Sequence, residues 1–127
     1  MRRSKLPKLT EIQRQIILSS LLGDGCITYN DKSGKISYTE SHCEAQKEYI
    51  EYKANILERN IHPYKRKSGK GIIGSTYYQF CYQNKPELLP IYEMCYPGGV
   101  KRISNEWINQ ITPLGIALWF LDDGNSC

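Results

Sequence analysis

The sequence predicts an α+β fold, an αββαββα unit followed by one further apolar helix. Three observations carry this. Residues 16–22 and 114–121 are apolar almost all round, so neither helix suits open water. Two pairs of alternating apolar and polar runs, each pair broken by a polar turn, read as β-hairpins. Between them, residues 44–59 place apolar side chains at helical spacing. The 127 residues suit one compact domain, and 40% hydrophobic content supplies a core.

Residues 1–9 are basic, contain Pro7 and read as an N-terminal arm. Domain residues 10–124 and a tail, 125–127, follow. Thr10-Glu11-Ile12-Gln13 has the form of a capping box, with Thr10 as N-cap and Gln13 reaching back. The first helix contains the small residues Ser19 and Ser20, which allow a second helix to come close. It closes on Gly23-Asp24-Gly25. Cys26 to Asn30 and Lys35 to Ser41 alternate as strands around the turn Asp31-Lys32-Ser33-Gly34. In the next helix, Ala45, Tyr49, Tyr52, Ile56 and Leu57 form the expected apolar face, and His62-Pro63 breaks it. A second hairpin is expected over 64–83, with the basic tract 65–71 at its tip. Residues 86–95 form a short helix, Tyr96-Pro97-Gly98-Gly99 a break, and 105–109 another short helix. Thr112-Pro113 supplies an N-cap with proline at the first helical position. The last helix then runs over 114–121 and closes on Asp122-Asp123-Gly124.

The two apolar helices repeat one design, residues 17–25 and residues 116–124, each closed by an acid and a glycine. A carboxylate at a helix C-terminus faces the negative end of the dipole. Two such helices packed side by side bring their acids together, an arrangement that suits a divalent cation between them. Carboxylate ligands completed by water and phosphate suit Mg²⁺.

These segments resemble the paired motifs of the LAGLIDADG homing endonucleases. Leu21-Leu22-Gly23-Asp24-Gly25 resembles the first motif of the two-motif monomeric branch. The stretch Ile111-Thr112-Pro113-Leu114-Gly115-Ile116-Ala117-Leu118-Trp119-Phe120-Leu121-Asp122-Asp123-Gly124 resembles its second motif. The resemblance covers about Leu9 to Gly124. It implies a homing-endonuclease-like saddle over the DNA major groove, and site-specific cleavage of double-stranded DNA assisted by Mg²⁺ or Mn²⁺. By position it makes Asp24 and Asp123 the metal-binding, catalytic acids, with Asp122 secondary. Lys101 matches an active-site lysine in its distance from the second motif, although the adjacent Arg102 keeps that choice open.

On the saddle, Ile27 and Tyr29 are expected to face the core. Cys26, Thr28 and Asn30 then face the DNA. Lys35, Ser37 and Thr39 share that face on the second strand, with Lys32 in the turn. Tyr64, Arg66, Ser68, Tyr77, Gln79 and Gln83 line the second hairpin, while Lys65, Arg66, Lys67 and Lys70 supply phosphate contacts. A slip of one residue in register would exchange the two faces. A second reading keeps the same face without catalysis, as an RNA maturase or a degenerate nucleic-acid-binding remnant.

Composition sets the remaining bounds. A net charge of +4 permits nucleic-acid binding without demanding it. The five cysteines include no CxxC pair, which argues against a zinc site and a disulfide framework. No apolar run reaches the length of a membrane span, so the chain is expected to be intracellular, not secreted and not membrane-bound. The family's two-motif enzymes continue past the second motif with another ββαββ half. A complementary half, or self-association, is therefore expected to complete the site.

Overall fold

The structure is a computed structural model that describes residues 8–65, 76–83 and 85–124, with side chains to Leu121. Arg66, Lys67, Ser68 and Lys70 lie outside the described residues, as does most of the basic arm.

Helix α1 (Glu11–Ser20) begins on the expected capping box. The Thr10 hydroxyl accepts from the Gln13 amide, and the Gln13 side chain accepts from the Thr10 amide. Strands β1 (Cys26–Asn30) and β2 (Lys35–Cys43) form the first hairpin. Helix α2 (Lys47–Ile56) follows a short 3₁₀ turn, then β3 (His62–Lys65) and β4 (Thr76–Tyr82). Helices α3 (Leu89–Cys95), α4 (Asn105–Asn109) and α5 (Pro113–Gly124) complete the chain. The four strands are antiparallel in the order β1-β2-β4-β3. The αββαββα plan and the additional helix are therefore present.

Alternation decides what each face of the sheet does. On β2, Ile36, Tyr38, Glu40 and His42 are buried, while Lys35, Ser37, Thr39 and Ser41 lie on the other face. Ile27, Phe80 and Tyr82 join the buried side and pack with Ile16, Ile17, Leu18, Ile50, Leu57 and Trp107 into one core. The helices thus cover one face and leave the other open among the described residues.

Three expectations are corrected. The buried side of α2 is Ile50, Lys53 and Ala54, with Leu57 just beyond its end, whereas Ala45 and Tyr52 are exposed. Position 45 sits in the 3₁₀ turn, whose tighter winding puts it out of phase with the helix. His62 and Pro63 belong to β3, because an edge strand tolerates a residue without an N–H. Tyr29 is 37% exposed at the sheet edge, where its ring meets Tyr92 at 5.2 Å. No described helix is long and apolar enough to cross a membrane.

Candidate active site and nucleic-acid interface

The site is built where the two apolar helices meet. Gln15, fully buried on α1, donates from its side chain to the Gln110 carbonyl at 2.9 Å and accepts from the Thr112 amide at 2.9 Å. One amide thus joins the middle of α1 to the start of α5. Gly115 permits the approach, since a Cβ there would overlap the Gln15 and Ile111 side chains. Further along, Lys53 of α2 reaches Ser20 near the end of α1, while Tyr49, one turn away, donates to the Leu118 carbonyl of α5. Gln15 meets the start of α5, and the end of α1 lies near Leu118 further along it, so α1 and α5 run parallel. The backbones that carry Asp24 and Asp123 therefore leave the pair at the same end.

The turn after α1 is held from two sides. Lys101 donates from Nζ to the carbonyls of Leu21 at 2.9 Å and Gly25 at 3.0 Å. Its charge lies against the negative end of α1, which offsets the unfavourable placement of an acid there. Gly25 is required because a Cβ would run into the Tyr38 ring. Between these fixed points the Asp24 side chain is 61% exposed, with Oδ2 3.8 Å from His42 Nδ1. Lys101, rather than Arg102, reaches the motif; the described Arg102 contact is its backbone amide on the Cys95 carbonyl. Two of the three Lys101 donors are engaged with carbonyls, so it supports the Asp24 turn as a clamp.

Beneath this turn lies a buried polar cluster that sequence reasoning missed. Glu40, His42 and Lys53 each have fully buried side chains. Lys53 Nζ lies 2.6 Å from Glu40 Oε2, as does His42 Nε2. The Tyr38 hydroxyl donates to Glu40 Oε1 at 2.6 Å, and His42 Nδ1 pairs with Gln46 Oε1 at 2.6 Å. Burial pushes the Glu40 carboxyl up, but the His42 hydrogen bond, the Lys53 charge and the Tyr38 hydroxyl outweigh it and leave the group at about 2. Burial likewise pushes His42 down, and its hydrogen bond to and attraction by Glu40 turn the net shift upward. The available signal was parity: Glu40 and His42 fall on the inward positions of β2. Charge alone gave no hint that they were paired.

On the open face the strand register aligns side chains in rows. Asn30 lies opposite Lys35, and Thr28 opposite Ser37. Cys26, Thr39 and Cys81 make the middle row. Ser41, Gln79 and His62 make the next, and Tyr77 and Tyr64 follow, their rings 5.8 Å apart. Cys26, Thr28, Asn30, Lys35, Ser37, Thr39, Tyr64, Tyr77 and Gln79 thus share one face, with Lys32 in the exposed turn and Gln83 exposed just past β4. Lys65 pairs with Thr76 and falls on the parity opposite to Tyr64. His62 and Ser41 join the face unannounced. Ser41 continues the β2 alternation, and His62 was hidden by treating Pro63 only as a breaker.

A family model for the LAGLIDADG DNA endonuclease family matches residues 14–127. The chain belongs to that family. The fold agrees: the homing endonuclease I-WcaI, solved bound to its DNA recognition sequence, superposes with a TM-score of 0.79 at 20% identity. That match covers 92% of this chain and 53% of I-WcaI. Protein RecA of Mycolicibacterium flavescens is 34% identical over 120 residues, 92% of this chain and 27% of that protein. The Methanocaldococcus jannaschii protein MJ1098 is 30% identical over 122 residues, 94% of this chain and 46% of that protein. The LAGLIDADG chain thus spans between about a quarter and a half of these relatives' lengths.

Proposed function

We propose that this chain forms the first-motif half, with the second motif helix, of a site-specific double-strand DNA endonuclease of the homing type. The observation that carries the reading is the parallel packing of α1 and α5 through Gln15 and Gly115. It directs the Asp24 and Asp123 positions to one end of the pair, beside an open, polar sheet face. The rows of that face offer hydroxyl, amide, imidazole and ammonium groups at strand spacing, a chemistry suited to base edges and phosphates in a major groove.

Asp24 and Asp123 would hold a divalent cation, Mg²⁺ or Mn²⁺, which supplies Lewis acidity at a phosphodiester. The exposed Asp24 carboxylate, a hard oxygen donor at a surface turn, fits such an ion. Lys101 fixes the turn that presents it. The middle and outer rows orient the duplex, and Lys32 and Lys35 neutralise its phosphates. The site is completed by a complementary half, or a second copy, seated on the exposed Ile116, Trp119, Phe120 and Leu121 of α5. The homing reading carries mobility of an intron or intein with it.

The test is a randomised duplex library incubated with the chain in Mg²⁺ or in Ca²⁺, with bound and cleaved molecules sequenced separately. A long recurrent target cut in Mg²⁺, with cutting lost in D24N and D123N while binding persists, supports the proposal. Binding without cutting, even when a complementary half is supplied, selects a non-catalytic nucleic-acid-binding module. The exposed α5 face is the feature that gives this second reading its place.

A further inference from the structure

Asp24 sits at the end of α1 in a turn whose backbone is clamped by Lys101, yet nothing in that clamp touches its carboxylate. Among the described residues its one ion-pair neighbour is His42, 3.8 Å away from below. That imidazole is itself gripped at both ring nitrogens, by Glu40 at 2.6 Å and by Gln46 at 2.6 Å. Glu40 is gripped in turn by Lys53 and Tyr38, and Lys53 is tied to Ser20 of α1 at 2.7 Å. The contacts thus run from Ser20 through Lys53, Glu40 and His42 back to Asp24. They leave the motif helix, pass through α2 and β2, and return to its end.

A buried ion pair is a poor device for stability, because apolar residues of the same volume often serve as well or better. A fully satisfied buried network does something apolar packing does not: it fixes one arrangement of its members. Here the members alternate on β2 with Thr39 and Ser41 of the open face. The strand that presents side chains outward therefore also carries the groups that stand behind the acid.

We propose that Lys53, Glu40 and His42 are positioning residues for Asp24, holding its carboxylate in one rotamer relative to the sheet face. The inference rests on Asp24 being the acid of the first motif's site, but its test needs neither metal nor DNA. Three-bond couplings from the Asp24 carboxyl carbon to its backbone nitrogen and carbonyl carbon report χ1 directly. The wild-type chain is expected to show the limiting couplings of a single rotamer. H42Q and K53M are expected to lose that pattern and show averaged couplings, although Lys53 does not touch Asp24.

Y49F is the comparison variant. It removes the hydrogen bond to the Leu118 carbonyl in the same region and is expected to lower Tm while leaving the Asp24 couplings unchanged. E40Q keeps the volume of the side chain, remains the informative arm if K53M fails to fold, and is expected to give averaged couplings. A single Asp24 rotamer in both H42Q and E40Q would overturn the proposal, as would equal averaging in Y49F. A chain with Asp24 held in one rotamer but no cleavage in any assembly defeats the nuclease reading and leaves the positioning role standing. An averaged Asp24 in a wild-type chain that cleaves does the reverse.

Discussion

The two motif helices share one design, an apolar stretch closed by an acid and a glycine, and sit in opposite environments. In α1, Gln15 to Ser20 are all buried, enclosed by the sheet, α2, α4 and α5. In α5, Gly115 and Leu118 are buried, while Ile116, Trp119, Phe120 and Leu121 stand exposed, Phe120 at 76%. Hydrophobicity alone therefore does not place a helix in a core. What places α1 there is a sheet that lies on it and polar partners at both ends. α5 packs along α1, touches α2 through Tyr49, and keeps an exposed apolar side among the described residues.

The largest way to sharpen this contrast is to truncate α1. Leu18→Ala should cost about 2–5 kcal/mol of folding stability, because a fully buried side chain leaves a cavity. Urea denaturation would measure it, and a loss below about 1 kcal/mol would contradict the enclosure of α1.

Next comes pH, which separates the helices because the charged cluster lies under α1. Glu40 has a folded value of about 2 against an ordinary 4.5, so its stabilisation is present above 4.5 and is lost as pH falls towards 2. The expected loss on that acid limb is on the order of 3 kcal/mol, and E40Q should flatten it. His42 is raised above 6.5, so its contribution is present below 6.5 and is lost as pH rises through the raised value. A stability plateau between those limits, followed by chemical denaturation in a pH series, is the outcome to look for.

Gln15→Ala probes the junction between the two helices. It leaves the Thr112 amide and the Gln110 carbonyl without their partner and should cost about 1–3 kcal/mol. Hydrogen exchange should accelerate at the start of α5 well before it does in α1; uniform acceleration along both helices would speak against a local hinge. The smallest effect is expected from Phe120→Ser on the open side of α5. Stability should shift by no more than about 0.5 kcal/mol, while sedimentation velocity shows less self-association at high concentration. A stability loss as large as that of Leu18→Ala would mean that the exposed face of α5 is not a free surface.

Much of this was legible in the order of residues. The capping box at Thr10, the alternation of β1 and β2 and the proline start of α5 are local signals, each read within a few positions. The paired Asp-Gly ends pointed to the proposed site because they repeat. The inward acid and bases of the cluster were not legible, since Glu40, His42 and Lys53 find one another only once β2 packs on α2. His62 was lost for a related reason: whether Pro63 breaks or merely edges a sheet depends on which strand lies beside it. Lys101 was singled out by spacing, but its grip on Leu21 and Gly25 depends on where the chain returns, 76 residues after Gly25.

The glycine at position 115 has a consequence beyond packing. It sets how near the backbones of α1 and α5 can come, and with that the separation of the backbone at their ends. On the proposed reading, that separation would help to set the stagger between the nicks in the two DNA strands. The gauge for the overhang would then lie more than two helical turns from either acid, at a residue with no side chain.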